Sequence, residues 1–329
     1  MSADPTPPAS ANRRAAVIYN PIKVDPDAIR AVVAREEQSA GWAGTEWIST
    51  SEDDPGQGAA ATAIAAGASM VIAAGGDGTV RAVAEGLSET SIPMALLPSG
   101  TGNLLARNLD LTLDDVEHSI HTAFNGNDRQ IDLGLIDIDH LDGNKSAHVF
   151  LVMAGLGLDA KMLANTDDDL KKKAGWLAYV KALSATLRDK NELRFRYTLN
   201  AGPSHRIRAH TIIVGNCGSL PANIMLLPDA AVDDGQFDVV LLRPEGFIGW
   251  VQIFVKVLWE NGVLNRTKAG RALMTKEVSA LRYVNATELK VTLERPEEIE
   301  LDGDGFGTAR GFHSRIAPGG ITIKVPADS

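Results

Sequence analysis

Two glycine-rich turns, Gly75-Gly76-Asp77-Gly78-Thr79 and Pro98-Ser99-Gly100-Thr101-Gly102-Asn103, hold the residues best suited to chemistry in this chain. Each follows a short apolar run, Met70–Ala74 or Met94–Leu97, and each precedes a helix-like segment. Glycine lets the backbone reach positive φ and approach a ligand closely, and the N–H groups of a helix start point at an anion. Two such cradles in one stretch of chain predict a ligand with several phosphates. Asp77 is the odd member, because a carboxylate among phosphate-binding amides repels the ligand unless a cation or a proton lies between them. It therefore points to metal-bound nucleotide or to a general base beside the transferring phosphate, with an Asp-Gly turn formed for its shape as the alternative. Thr79 and Thr101 can donate hydroxyl hydrogen bonds to phosphate oxygens. Thr79 also suits a helix N-cap, and Asn103 reads either as a cap or as a further contact.

Acidic turns recur later in the chain. In Ile299-Glu300-Leu301-Asp302-Gly303-Asp304-Gly305, alternation before a tight turn predicts a strand end with Asp302 and Asp304 on the same side. A solvated surface turn is the alternative, and the spacing of an EF-hand is missing. The run Pro228-Asp229-Ala230-Ala231-Val232-Asp233-Asp234-Gly235 can hold Mg2+ or Ca2+ with backbone carbonyls, or simply be solvated. Lys171, Lys172, Lys173, Lys181, Arg188 and Lys190 form a cationic stretch, either a solvated helix face or a contact with anionic lipid. Trp250, Phe254 and Trp259 read as core, and remain compatible with a second domain that adsorbs to a membrane.

The elements that must position these groups alternate regularly in the first part of the chain. Ala15–Tyr19 reads as a strand ending at Asn20-Pro21, after which Asp25 caps a helix with Pro26 in its first turn and Gly41 closing it. Glu46–Ser49 is a second strand, and Asp54-Pro55 starts an Ala-rich helix running to about Gly67. The two glycine turns and their strands follow, then a helical stretch over about Leu113–Phe124. This predicts a parallel sheet covered by helices, with the ligand at the carboxyl ends of the strands, where Asn20 and both turns fall. From Arg129 onward β-type runs dominate: Gln130–Ile138, His148–Ala154, Leu193–Leu199, Arg206–Val214, Phe237–Leu242, Glu288–Leu293 and Ile321–Val325. They predict an antiparallel sheet or sandwich, interrupted by helical stretches over roughly Leu170–Arg188 and Phe247–Leu258.

Composition bounds these readings. With 329 residues, 44% of them hydrophobic, the chain can bury a sizeable core in two domains. A net charge of −10 argues against non-specific nucleic-acid binding, which needs a cationic surface to displace counterions. The single cysteine, Cys217, fits a reducing compartment and reads as a small, partly buried side chain. Met1–Asn12 lacks the apolar region of a signal peptide and reads as a disordered tail. Phe247–Trp259, interrupted by Gln252 and Lys256, is far short of the roughly 20 residues a membrane span needs. The expectation is a cytoplasmic protein, at most peripheral at the inner membrane face, with its oligomeric state left open.

Together the motifs resemble the diacylglycerol kinase catalytic-domain family, which includes bacterial lipid kinases, sphingosine kinases and ceramide kinases. The carriers are Asn20-Pro21, Gly75 to Val80, Pro98 to Arg107, Gly155 to Ala160, Asp234-Gly235 and Leu301 to Gly303. NAD kinases share the Gly-Gly-Asp-Gly-Thr element, but their other characteristic stretches are missing. The resemblance implies an α/β nucleotide-binding domain over residues 13–128 and an antiparallel β-sandwich lipid-substrate domain over 129–310, with 311–329 folding back onto the first. It implies transfer of the γ-phosphoryl of Mg-ATP to a lipid hydroxyl in the cleft between them, with diacylglycerol giving phosphatidic acid as the leading assignment. A small-molecule kinase like NAD kinase and a catalytically impaired nucleotide- and lipid-binding regulator are the alternatives.

By the same resemblance, Asn20, Pro21, Thr50 (with Ser49 and Ser51 as alternatives for that position), the Gly75–Thr79 loop, Gly100, Thr101 and Asn103 contact ATP, and Asp234 with the carbonyls of Ala231 and Gln236 holds a structural Mg2+. Asp159 is assigned to the lipid headgroup. Two departures from the family pattern stand out. Ile22-Lys23-Val24 replaces the usual Ser-Gly after Asn-Pro, so Lys23 supplies a positive charge where a flexible glycine is lost. Asp304 replaces the glutamate assigned as catalytic base, with Asp302 orienting the site and Asp77 as the competing base. The aspartate is shorter by one methylene, roughly 1.5 Å of reach.

Overall fold

The computed structural model describes residues 13–157, 192–220, 224–225, 227, 230–243 and 281–327. The chain divides into two compact units, Met1–Gln130 with Ile321–Ser329, and Ile131–Gly320. The predicted helical stretches around Leu170–Arg188 and Phe247–Leu258, and the tail before residue 13, lie outside the described residues.

The first unit alternates strand and helix: β1 Arg14–Tyr19, α1 Pro26–Ser39, β2 Ala43–Ser49, α2 Gln57–Ala65, β3 Met70–Gly75, α3 Asp77–Leu87, β4 Met94–Pro98, α4 Leu104–Asn108 and α5 Val116–Asn125. The strands are parallel in the order β2-β1-β3-β4, and Ile321–Val325 supplies a further parallel neighbour through Ile323 opposite Met94. Met70–Ala74 is fully buried, as expected of a strand covered by helices on both faces. α1 and α5 pack on one another, as do α2 and α3. One core cluster joins Val17, Ile72, Leu97, Val33 and Ile120.

Asp25 caps α1 by accepting the Asp27 N–H at 3.0 Å, with Pro26 at its first position, and Gly41 follows its end at φ 71°. The Ala-rich helix starts at Gln57 rather than at Asp54-Pro55. Asp54 Oδ1 instead accepts the N–H groups of Gly56 and Gly58, which holds the chain in a turn before the helix. The returning segment is fastened by Lys324, whose ammonium lies 2.6 Å from Asp128 Oδ1, and by Asn127, which donates to the Ala327 carbonyl at 3.2 Å.

The second unit is built from antiparallel strands: β5 Asn127–His140, β6 Lys145–Phe150, β7 Met153–Leu156, β8 Leu193–Leu199, β9 His205–Ala209, β10 Thr211–Gly215, β11 Ser219–Leu220, β12 Ile224–Met225, β13 Phe237–Leu242, β14 Leu281–Ala286, β15 Glu288–Leu301 and β16 Asp304–Val325. Neighbours run β14-β13-β10-β7-β15, with β16 and the β8–β9 hairpin both pairing with β15. Phe150, Phe195, Phe237, Leu289 and Phe312 share its core.

The apolar run Arg206–Val214 is two strands, because β9 pairs with β8 while β10 pairs with β7 and β13. β15 continues past Leu293 to Leu301 with a register shift between Thr292 and Glu297. Pro296, which has no N–H to give a ladder, sits inside that irregularity. Among the described residues no helix is long and apolar enough to cross a membrane.

Candidate functional site

In the first unit the sheet order reverses beside β1, since the connection from β1 leads to β2 on one side while β3 and β4 lie on the other. Ligands of open α/β sheets bind outside the carboxyl ends of strands at such a switch point. Asn20 stands there, its N–H donating to the Ala74 carbonyl at 3.0 Å, and the Thr50 N–H donates to the Tyr19 carbonyl at 2.9 Å. Thr50 is buried and Pro21 exposed. The Asn20 carbonyl accepts the N–H groups of Lys23 and Val24, and Asn20 Oδ1 accepts that of Ile22. This tight turn forms without a glycine. It swings Lys23 over the first glycine-rich turn, where a Cβ built on Gly76 would lie 2.6 Å from Lys23 Nζ.

The two glycine-rich turns touch. The Ser99 N–H donates to the Gly75 carbonyl at 2.9 Å, and a Cβ on Gly100 would lie 2.7 Å from the Gly76 Cα. No other residue fits at Gly100 without moving backbone. Gly76 is the N-cap of α3, with extended backbone and no side-chain cap. The sequence suggested Thr79 as that cap. The structure instead starts α3 at Asp77, because the Gly76 carbonyl already accepts the Val80 N–H at 3.0 Å. Thr79 lies within the first turn of the helix, buried and packed on Gly75. With no side chain capping it, the start of α3 is suited to an anion.

Asp77 has a partner that local sequence did not reveal. Its Oδ1 accepts the N–H of Leu104 at 2.5 Å, so the first turn's carboxylate caps the short helix that follows the second turn. Gly102 allows this, since any Cβ there would collide with Asp77 Oδ2. Asn103, at φ 47°, spends its side chain on Gly100: Oδ1 accepts the Gly100 N–H and Nδ2 donates to its carbonyl, both at 2.9 Å. Arg107 Nε donates to the Gly102 carbonyl at 2.7 Å. Thr101, by contrast, is exposed at the crest of the turn. The first unit thus brings Asn20, Lys23, Gly75, Gly76, Asp77, Gly78, Gly100, Gly102 and Asn103 into a single connected set of turns.

In the second unit, Asp302 and Gly303 form a two-residue hairpin turn between β15 and β16, with φ of 50° and 92°. The expected shared face for Asp302 and Asp304 does not arise. Positive φ at both central positions reverses the chain between them, so that Asp302 is buried and Asp304 exposed. The Asp302 carboxylate accepts three backbone N–H groups: Leu151 on Oδ2 at 2.8 Å, and Val152 and Met153 on Oδ1 at 2.9 Å. Its own N–H donates to the Met153 carbonyl. This bracket occupies the break between β6 and β7, which the sequence reads as one run. Cys217 lies nearby, fully buried, with its thiol directed at the Leu151 carbonyl at 3.4 Å. Burial, and then the negative charge of Asp302, push that thiol far above its ordinary range, which makes it unreactive.

Sequence reasoning missed Asp132. Buried at the base of the acidic turn, it accepts the Gly235 N–H at 2.6 Å on Oδ2 and the Gly319 N–H at 2.8 Å on Oδ1. It thereby holds in place the loop that carries Asp234. Asp234 is exposed, and its Oδ1 accepts the Gln236 N–H at 2.9 Å. Among the described residues no three His, Cys, Asp or Glu side chains gather to hold a metal. The Asp234 carboxylate and the main-chain carbonyls of Ala231 and Gln236 are all oxygen donors, the ligand type that Mg2+ takes. Asp159, the basic run Lys171–Lys173 with Lys181, Arg188 and Lys190, and the aromatic trio Trp250, Phe254 and Trp259 lie outside the described residues.

Comparison with known proteins agrees with both units. The diacylglycerol kinase catalytic domain matches residues 14–136, and the YegS C-terminal NAD kinase beta sandwich-like domain matches residues 152–325. A protein of Pseudomonas syringae pv. syringae named "Probable lipid kinase YegS-like" is 32% identical over 96% of this chain and 95% of its own length. The "Diacylglycerol kinase" of Bacillus subtilis is 25% identical over 91% of this chain and 92% of its own. In fold, the chain is similar to a crystal structure of a diacylglycerol kinase from Bacillus anthracis, with a TM-score of 0.67, 20% identity, and 98% and 99% of the two chains covered. An α/β unit with paired glycine turns, followed by a β-sandwich-like unit and matched along its length by these relatives, places this chain in the diacylglycerol kinase catalytic-domain family of lipid kinases.

Proposed function

We propose that the protein is an ATP-dependent lipid kinase that transfers the γ-phosphoryl group to a primary lipid hydroxyl, with diacylglycerol as substrate and phosphatidic acid as product. The observation that carries this is the contact of Gly76 with Gly100 beneath the Lys23 ammonium, at a helix start that no side chain caps. Backbone amides and a cation converge there with no Cβ in the way, as a chain of phosphates requires. Asn20, Thr50, Thr79 and Thr101 line the same carboxyl ends of the strands and are assigned to ATP.

The acceptor hydroxyl oxygen bonds to the γ-phosphorus as the bond from that phosphorus to the β–γ bridging oxygen breaks. ADP leaves with that electron pair, and the hydroxyl proton passes to the Asp304 carboxylate. Catalysis of this kind is mostly positioning and charge neutralisation. Mg2+ would supply neutralising charge on the phosphates, with Asp77 the residue assigned to it, while Asp234 is assigned to a separate structural Mg2+. Asp302 acts at a distance from the reacting atoms, by fixing the turn from which Asp304 projects.

The test is transfer from γ-labelled ATP to a panel of lipids in neutral mixed micelles, with Asp304→Asn and Asp77→Ala run beside the wild type. Diacylglycerol is expected to be labelled, and both variants to lose transfer. Turnover retained by both variants sinks the assignment of roles. Clear ATP binding with no lipid labelled favours the regulator over the enzyme.

A further inference from the structure

The solvent face of the β8–β9 hairpin departs from the acidic character of the chain. Leu193, Phe195 and Ala209 point into the core, so alternation sends Arg194, Arg196, Arg206 and Arg208 to the other face. The register sets Arg194 directly opposite Arg208 and Arg196 directly opposite Arg206. Like charges placed opposite each other across antiparallel strands destabilise the pair. Two such pairs in succession are a cost that core packing does not require.

Three of these arginines, Arg194, Arg206 and Arg208, also line a concavity of about 580 Å³, together with Arg243, Tyr197, His205 and Ile207. Tyr197 and His205 stack with ring centroids 5.4 Å apart. Among the described residues, the neighbouring carboxylates meet only part of this charge. Glu192 is shared at 3.8 Å between Arg194 and Arg208, and Glu294 pairs with Arg206. Among the described residues, five guanidinium groups, of Arg194, Arg196, Arg206, Arg208 and Arg243, stand against these two carboxylates.

We infer that this face is a docking site for the phosphate headgroups of an anionic bilayer. Charge complementarity carries the choice of occupant. A chain with a net charge of −10 meets an anionic membrane most favourably through a concentrated basic face, which also sets its orientation there. Guanidinium forks match phosphate oxygens bidentately. The choice of a lipid surface rests on the lipid-kinase reading. The basic face itself does not.

Cosedimentation of the full chain with vesicles, in the absence of ATP, tests the inference. Wild type is expected to sediment with phosphatidylcholine vesicles that contain phosphatidic acid or phosphatidylglycerol, and not with pure phosphatidylcholine. Arg194→Gln and Arg208→Gln are each expected to weaken binding about fivefold, and the double variant roughly 25-fold, on the scale of one basic side chain near an anionic surface. Arg208→Lys retains the charge but loses the fork, and should bind between the wild type and Arg208→Gln. All of these variants should transfer phosphate in neutral micelles at the wild-type rate, so a failed kinase assay and a failed docking assay are separate results. Equal sedimentation with neutral vesicles, or wild-type binding by the double variant, overturns the inference. Displacement by inorganic phosphate at matched phosphate concentration, or preferential binding of an RNA oligomer, overturns the bilayer as occupant.

Discussion

Replacing Asp302 separates bracing from chemistry more cleanly than any other single change. Its buried carboxylate accepts three backbone N–H groups at 2.8–2.9 Å, from Leu151, Val152 and Met153. Hydrogen bonds to a charged group contribute about 1.5–3 kcal/mol each, so at the low end their joint loss in Asp302→Ala costs about 4.5 kcal/mol. Asp302→Asn should cost less, about 1.5–3 kcal/mol. Its amide oxygen can replace Oδ1 for Val152 and Met153, while its NH2 meets the Leu151 N–H donor to donor. Asparagine also tolerates the φ of 50° at this position, where alanine is strained. Urea unfolding should rank the proteins wild type, then Asn, then Ala. Hydrogen exchange should show the amides of residues 151–153 losing protection in the same order. An alanine variant that unfolds at the wild-type midpoint with those amides still protected would refute the bracing role. If Asp302 acts only through the turn, the Asn variant should keep its ATP affinity and lose turnover in step with the loss of protection.

Other changes probe the rest of the site. Gly100→Ala puts a methyl 2.7 Å from the Gly76 Cα, so titration calorimetry should show ATP affinity falling at least about fivefold, on the scale of an overpacking penalty of roughly 1–3 kcal/mol; unchanged affinity would mean that the turns are not the phosphate cradle. Asp304→Asn should lower kcat about 100-fold, the low end for loss of a general base, while Asp304→Glu should match or exceed the wild type. The hydrogen bond from His121, opposed by partial burial, holds the Glu36 carboxyl below its ordinary value of 4.5. Its contribution to stability is therefore present above that value and lost as pH falls through the lowered one. Glu36→Gln should unfold about 0.5 kcal/mol more easily at neutral pH, and the gap should close on acidification in urea melts. Deleting the chain from Ile321 onward removes a neighbour of β4, and light scattering should report aggregation through the bared edge.

What the sequence revealed and what it hid follow from the range of the interactions. The paired glycine turns, the Asp25 cap with Pro26, and the strands Leu193–Leu199 and Phe237–Leu242 rest on neighbours a few residues away, and they stand in the structure as read. The helix Leu104–Asn108 is too short to show a period, and the carboxylate that caps it lies 27 residues earlier at Asp77. The break at Leu151–Val152 inside a continuous apolar run is imposed by Asp302, about 150 residues later. Asp132 carries no local signature either, because the groups it holds, at Gly235 and Gly319, are 103 and 187 residues away. The departure at Ile22-Lys23-Val24 was visible, but only the tight turn made by Asn20 shows how Lys23 comes to lie over Gly76.

β16 begins in the second unit, and its last residues, Ile321–Val325, belong to the first. During synthesis the ribosome therefore delivers the outer neighbour of β4 only after the 190 residues of Ile131–Gly320, a delay of roughly 20 s at about 10 residues per second. Until then the nascent α/β unit has β4 as an unpaired margin, and a domain-by-domain order of maturation is closed to this chain. The earliest unit made is among the last to be completed, which makes chaperone cover of that margin the foreseeable need of the newborn protein.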